Sequence, residues 1–374
     1  MELIKPKNIY KNVKSADAIS RNLLELGITS VVLVVDSNIN NYMIKEIIES
    51  LQADLNVILI FDYKGGEPQT VELDIFLTNI SKYDFHAIIG VGGGSTLDFT
   101  KAASVLHKRD VIVDSSIYQG VDFEITAKVT CVCIPTTAGS GAEATKSAVM
   151  FNPKTNVKRG INNLKILPDI VFLVPAILDN LPGKVFYPSL FDGVTHAFES
   201  LIGKSSTKET SILAKKSLLI YRKQLNIKYS KEKYHRKVLE ASFYAGQAIC
   251  NSETGPIHAL SYPLSEYLKL SHGQAISLIL PKIVLFYNEM NTNLVYPLID
   301  YLGFKNIDSL IAKIEDLNNQ FILPNVHISG KIDLQTFAGR SMQLQGAIKN
   351  SPINWSKEYS MRIYNEIFES SRLK

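Results

Sequence analysis

Cysteine is scarce in this chain: Cys131, Cys133 and Cys250 are the only three in 374 residues. Three thiols with no CxxC pair do not make a disulfide framework, so a reducing, cytoplasmic setting is expected. Cys131 and Cys133 fall in the apolar run VTCVCIP and read as buried strand residues rather than zinc ligands. No apolar stretch reaches the roughly 18 residues a membrane-spanning helix needs, and MELIKPKNIY lacks the apolar core of a signal peptide. Neither sign of charge dominates, since 40 basic against 36 acidic residues leave +4. The basic residues are scattered, as at 154–158 and 231–236, and read as solvated surface. Nucleic acid is therefore not an expected partner. With 46% apolar and 20% charged residues, the composition is that of a globular protein with room for two domains.

The first half alternates short apolar runs with amphipathic stretches. SVVLVVDS, NVILIFDY, DFHAIIGVGGGS and KVTCVCIPTTAGSG read as strands, with helices over NYMIKEIIESLQ, VELDIFLTNISKY and LDFTKAASVLHK between them. That spacing predicts a parallel sheet with helices on both faces, a Rossmann-like α/β domain over residues 1–180. Beyond about Pro182 the period becomes helical, as in TKETSILAKKSLLIYRKQL, EKYHRKVLEASFYAGQAICN and GQAISLILPKIVLFYNEM. An all-helical domain over 181–374 is expected, with a small-molecule site against the first domain.

Histidine is also sparse, with seven in the chain, which makes the grouping of three with an aspartate informative. Asp192 and His196 stand four apart in FDGVTHAFES, on one face of a helix, and His258 and His272 follow in HALSYPLSEYLKLSHG. One carboxylate and three neutral imidazoles around a divalent cation leave a net positive centre, able to polarise an alcohol or carbonyl oxygen. The bland alternative is four unrelated polar residues. In the first half, Gly90-Val91-Gly92-Gly93-Gly94-Ser95 follows a strand and opens a helix, where backbone N–H groups can hold a phosphate. Pro135-Thr136-Thr137-Ala138-Gly139-Ser140-Gly141 adds hydroxyls for the same ligand. Asp36 closes its strand, where a carboxylate can bind an adenosine ribose; helix capping is the competing role. Asp98 and Lys101 read as supports of the glycine turn.

GGGSTLDFTK, PTTAGSGAEAT, DGVTHAFE and the HALSYPLS…HG pair, in this order, resemble the iron-containing, or group III, alcohol dehydrogenase family over nearly the whole chain. The resemblance implies an N-terminal nucleotide-binding domain and a C-terminal metal-binding domain, a dehydroquinate synthase-like architecture. It implies that Asp192, His196, His258 and His272 bind Fe²⁺ or Zn²⁺, and that Gly92, Gly93, Gly94 and Ser95 hold the cofactor pyrophosphate. Thr136, Thr137 and Ser140 would line the cofactor, and Lys158 falls where the family often places a cofactor-contacting lysine. Asp36 matches a position associated with NAD(H) over NADP(H). The implied reaction interconverts a primary alcohol and an aldehyde by hydride transfer with NAD(P); a homodimer is one arrangement the resemblance allows.

Two positions depart from the family. Tyr262 stands where many members carry a histidine thought to help proton transfer. A tyrosine's ordinary pKa of about 10 makes it a relay rather than a base, and a packing role fits it equally. Val174 replaces a usual aspartate before LDNLP. HALSYPLS is also similar to specialised branches that reduce phosphonoacetaldehyde or oxidise 3-deoxy-octulosonate; IYQGVDF and KRGIN resemble the latter. Both substrates are anionic, and Lys158 or Arg159 would attract such a group, although surface or cofactor roles suit them too. The competing classes are a dehydroquinate synthase-type lyase and a non-catalytic, degenerate homologue.

Overall fold

The computed structural model describes residues 3–369 apart from 37, 40, 108–127, 156, 180, 226–235 and 326–332. IYQGVDF and the start of EKYHRKVLEAS lie outside the described residues. The chain divides into two compact units at Leu181/Pro182, with residues 236–240 grouped with the first.

In the first unit six strands form one sheet. They are β1 (Asn8–Tyr10), β2 (Ser30–Asp36), β3 (Asn56–Tyr63), β4 (Ala87–Gly92), β5 (Thr130–Pro135) and, after a separate hairpin, β8 (Ile170–Phe172). Their order is β1-β8-β5-β4-β2-β3 and every pairing is parallel. A parallel sheet covered on both faces selects continuous rather than alternating apolar runs, and β2 and β4 are buried along almost their whole length. On one face α1 (Ala16–Glu25) and α2 (Tyr42–Asp54) bring Ile19, Leu23, Ile44 and Ile47 against Val31, Leu33, Ile89 and Val91. On the other, α3 (Thr70–Ile80) and α4 (Gly94–Leu106) bring Phe76 and Phe99 against Val32, Val34 and Ile88. The chain leaves β2 toward β3 and returns on β2's other side as β4. The carboxyl ends of β2, β4 and β5 therefore flank a topological switch point, where such sheets bind ligands.

Helix α4 crosses β4 at very short range. A Cβ built on Gly90 would lie 2.4 Å from Thr100 Oγ1, and one on Gly92 would lie 2.3 Å from Thr96 Oγ1. Neither glycine has a positive φ, so close approach, not backbone conformation, demands them.

The antiparallel hairpin β6 (Ser147–Asn152) and β7 (Val157–Asn162) has no counterpart in the sequence reading. Its alternating burial along SAVMFN is a period-two signal. It also corrects the reading of 154–158 as solvated surface: Lys158 is buried, its ammonium 2.7 Å from Glu67.

The second unit is helical among the described residues. It contains α5 (Gly183–Ile202), α6 (Lys208–Leu225), α7 (Val238–Ser252, its first three residues grouped with the first unit), α8 (Pro256–Leu268), α9 (His272–Met290), α10 (Tyr296–Leu302), α11 (Ile307–Leu317), α12 (Leu334–Met342), α13 (Gln345–Lys349) and α14 (Lys357–Glu369). No helix among the described residues is long and apolar enough to cross a membrane.

Gly90→Ala forces its new methyl into Thr100 and is expected to cost about 1–3 kcal/mol. Thermal unfolding checks this, and Thr100→Ala in the same chain should recover part of the loss.

Candidate metal centre and nucleotide turns

Three helices of the second unit build one cluster. Asp192 and His196 lie one turn apart on α5, His258 lies in the first turn of α8, and His272 opens α9. The last position is set by a capping box, in which Ser271 Oγ accepts from Gln274 N while Gln274 Oε1 accepts from Ser271 N. Gly273 lets α9 start against α5, since a Cβ there would fall 2.7 Å from the Pro188 carbonyl oxygen.

All three imidazoles turn Nε2 toward the same carboxylate oxygen. Asp192 Oδ1 lies 3.6 Å from His196 Nε2, 3.4 Å from His258 Nε2 and 3.3 Å from His272 Nε2. A tetrahedral ion with bonds of about 2.1 Å separates its ligand atoms by about 3.4 Å. These spacings therefore suit atoms that share an ion better than atoms that bond one another. Asp192 Oδ1 and His258 Nε2 are fully buried with no hydrogen-bond partner, a costly arrangement that an ion relieves. Asp192, His196 and His258 each offer a ligand atom, all within 4.8 Å of one another. His272 is the most open of the four, its side chain 29% exposed.

Glu199 is the functional residue missing from the sequence reading. It follows Asp192 by seven and His196 by three, so it shares their helix face, and it is buried. Its carboxylate accepts from Gly255 N at 2.7 Å and Ile257 N at 2.7 Å, at the start of α8. It also lies 2.6 Å from His258 Nδ1. Helix-start amides stabilise the negative charge, and the charge in turn fixes which nitrogen of His258 faces Asp192. Ser261 Oγ lies 3.3 Å from His272 Nδ1 and serves that ring in the same way. Gly255 is required there, because a Cβ would fall 2.8 Å from Glu199 Oε1.

The charges shift the titrations. Burial opposes ionisation of Asp192, but the His196 and His272 rings outweigh it and hold the carboxyl well below its ordinary range. Burial would also lower the His258 pKa; the Glu199 and Asp192 carboxylates overcome this and push it up to about 9. Tyr262 sits one turn after His258 on α8, half-buried, its ring edge-on to His272 at 6.4 Å.

In the first unit the two turns meet. Thr136 N donates to the Gly92 carbonyl at 2.9 Å, and a Cβ on Gly94 would lie 2.8 Å from Ser140 Cβ. Gly93 approaches Thr137 in the same way, its Cβ position 3.5 Å away. Helix α4 starts at Gly94 with no side-chain cap, so Gly94 and Ser95 present first-turn amides suited to a phosphate. Thr136 Oγ1 and Thr96 Oγ1 are buried without partners. Asp98 and Lys101 brace the second turn: the Lys101 ammonium, 0% exposed, bonds Asp98, the Ala142 carbonyl and Thr145 Oγ1, while Asp98 accepts from Val149 N. Asp36 ends β2 beside β4, with Oδ1 accepting from Asn38 N at 3.0 Å. Lys158 bonds Glu67, in the segment between β3 and α3. Val174 is packed into the core.

A parallel sheet with a glycine turn opening α4, and a helical unit with a buried carboxylate–imidazole cluster, define a nucleotide- and metal-dependent oxidoreductase. The chain belongs to the iron-containing alcohol dehydrogenase family. The family itself matches residues 6–175, and its C-terminal part, the Fe-containing alcohol dehydrogenase C-terminal family, matches residues 188–368. It is thus an enzyme that interconverts an alcohol and an aldehyde by hydride transfer with NAD(P) and a metal ion, and the synthase-type reading is not favoured. Similar proteins include 4-hydroxybutyrate dehydrogenase of Clostridium kluyveri, 27% identical over 68% of this chain and 69% of that protein. The 1-propanol dehydrogenase of Citrobacter freundii is 30% identical over 65% of this chain and 63% of its own length. In fold, the chain is similar to sulfoacetaldehyde reductase from Bifidobacterium kashiwanohense in complex with NAD⁺, with a TM-score of 0.86, 21% identity and 99% of both chains covered.

The raised His258 pKa would make metal binding at this ring a proton-releasing step, since Nε2 would give up its proton to an ion while Nδ1–H stays on Glu199. A histidine raised in the folded state stabilises the metal-free protein below about pH 6.5, and that contribution fades as pH rises toward about 9. Metal affinity should therefore rise by up to about tenfold per pH unit through this window and level off above it, as read by chelator competition. The metal-free protein should lose thermal stability over the same range.

Proposed function

We propose that Asp192, His196, His258 and His272 hold Fe²⁺, with Zn²⁺ as substitute, and that the two glycine-containing turns hold NAD(H). The observation carrying the metal assignment is the buried, unpartnered pair Asp192 Oδ1 and His258 Nε2, with four ligand atoms at ion-sharing spacing. When bound, the ion supplies Lewis acidity toward an alcohol or carbonyl oxygen, and the nicotinamide accepts or returns the hydride. Glu199 and Ser261 keep two imidazoles oriented, so little reorganisation is needed when the centre is loaded. The amides of Gly94 and Ser95 bind the pyrophosphate, Gly92 and Gly93 clear the approach, and Thr136, Thr137 and Ser140 line the cofactor. Asp36 binds the adenosine ribose and repels a 2′-phosphate. Tyr262 passes the alcohol proton through its hydroxyl, in the place a histidine often fills. Cys131, Cys133 and Cys250, buried and outside any disulfide, suit a reducing cytoplasm.

The substrate we propose is a small aldehyde with an anionic end, reduced to the primary alcohol. Support comes from relatives: 4-hydroxybutyrate carries a carboxylate and sulfoacetaldehyde a sulfonate, whereas 1-propanol is neutral. Lys158 is engaged by Glu67, and Arg159, exposed on the same strand, is the cation we assign to the anionic end.

Fe²⁺-loaded protein should oxidise NADH with sulfoacetaldehyde at a kcat/KM about tenfold or more above that with propanal, a discrimination of roughly 1.4 kcal/mol. Equal values remove the anionic substrate. No turnover with any aldehyde, in metal-loaded protein, removes the functional assignment. Asp36→Ser should raise the NADPH/NADH ratio of kcat/KM by roughly tenfold, and an unchanged ratio takes Asp36 out of cofactor selection.

A further inference from the structure

Between α7 and α8 the chain turns through residues 252–255, and Glu253 sits in the left-handed region at φ 63°, a conformation that disfavours a side chain. The group that spans this turn is Asn350, just after α13 and 3% exposed. Its Nδ2 lies 3.0 Å from the Ser252 carbonyl, 3.2 Å from that of Glu253 and 2.9 Å from that of Thr254. Two amide protons thus serve three carbonyl oxygens. On its other side Oδ1 accepts from Ser205 N at 2.8 Å, and the Asn350 carbonyl accepts from Lys204 N at 2.9 Å. Gly203 makes room for this amide, since a Cβ there would lie 2.7 Å from Nδ2. Ser252 Oγ also donates to Ser200 Oγ at 2.8 Å, beside Glu199.

The turn leads directly into the amides that matter. Gly255 N and Ile257 N, which follow the three clasped carbonyls, are the donors that hold Glu199, and Glu199 sets the ring of His258. We propose that Asn350 is a positioning residue for the metal centre: by clasping residues 252–254 it aims the Gly255 and Ile257 amides at Glu199 and so keeps His258 Nε2 on Asp192. This rests on the reading of Asp192, His196, His258 and His272 as metal ligands. Asn350 touches none of them; its influence passes through one turn and one carboxylate.

The test is a double-mutant cycle in the full chain. Wild type, Asn350→Ala, Glu199→Gln and the double variant are compared for Co²⁺ affinity by chelator competition and for the visible Co²⁺ spectrum. Asn350→Ala alone should weaken Co²⁺ binding about tenfold and shift the spectrum. In the Glu199→Gln background the same change should add no more than about twofold, because the two act in series. Fully additive losses, or an Asn350→Ala protein that binds Co²⁺ as wild type does, overturn the proposal. If Asn350→Ala does not fold, Asn350→Ser keeps one donor and enters the same cycle with a smaller expected loss; additivity there is equally fatal. Wild-type protein that binds no Co²⁺ overturns the metal reading and the proposal together. Wild-type binding with an unaffected Asn350 variant overturns the proposal alone.

Discussion

The Glu199 carboxylate, buried at the first turn of α8, is the interaction from which the candidate metal centre takes its geometry. A charge in that position is tolerable only because two helix-start amides and an imidazole N–H meet it. Remove its partners and an uncompensated carboxylate remains in the core; remove the carboxylate and two amides and His258 Nδ1 lose their acceptor. Through this exchange the start of α8 is tied to the last turn of α5, and the ring of His258 is turned so that its other nitrogen meets Asp192. Asp192 Oδ1 and His258 Nε2 then face each other, both buried and neither with a hydrogen-bond partner. The same constraint that orders the fold leaves an open valence in it.

The parallel-sheet unit solves a different problem by different means. Its site is shaped by the absence of side chains: Gly90, Gly92 and Gly94 are positions where one carbon would collide with Thr100, Thr96 or Ser140. That absence brings α4 close to the sheet and its amide end to the mouth of β4 and β5. The buried Lys101 then braces the second turn against α4, its charge answered by Asp98 and its remaining donors by backbone and hydroxyl oxygens. An ammonium with 0% exposure is tolerated only with such complete pairing.

Much of this could be read from the residues. The continuous apolar runs of β2, β4 and β5 signal strands covered on both faces, and the four-residue step from Asp192 to His196 signals a shared helix face. Glu199 lay in the same pattern, three further along, yet a glutamate on a helix face is usually solvated, and only its burial against α8 distinguishes it. The β6–β7 hairpin escaped because SAVMFN is short and mixed in polarity. Composition places Lys158 on the surface, whereas pairing with Glu67, far away in sequence, allows its burial. Asn350 carries no sequence signal at all, since its partners are main-chain atoms about a hundred residues away and any residue supplies those.

The sequence by itself determined what depends on local spacing and residue chemistry. It specified the alternation of strand and helix, the glycine turn that opens α4, and which side chains can ligate a cation. Only the tertiary structure decided which imidazole nitrogen faces Asp192, which carboxylate orients it, and which turn carries that carboxylate's donors. The physical reason is range. Periodicity and motif spacing are properties of neighbours along the chain, whereas the satisfaction of buried charge is settled between helices that meet only when the chain is folded.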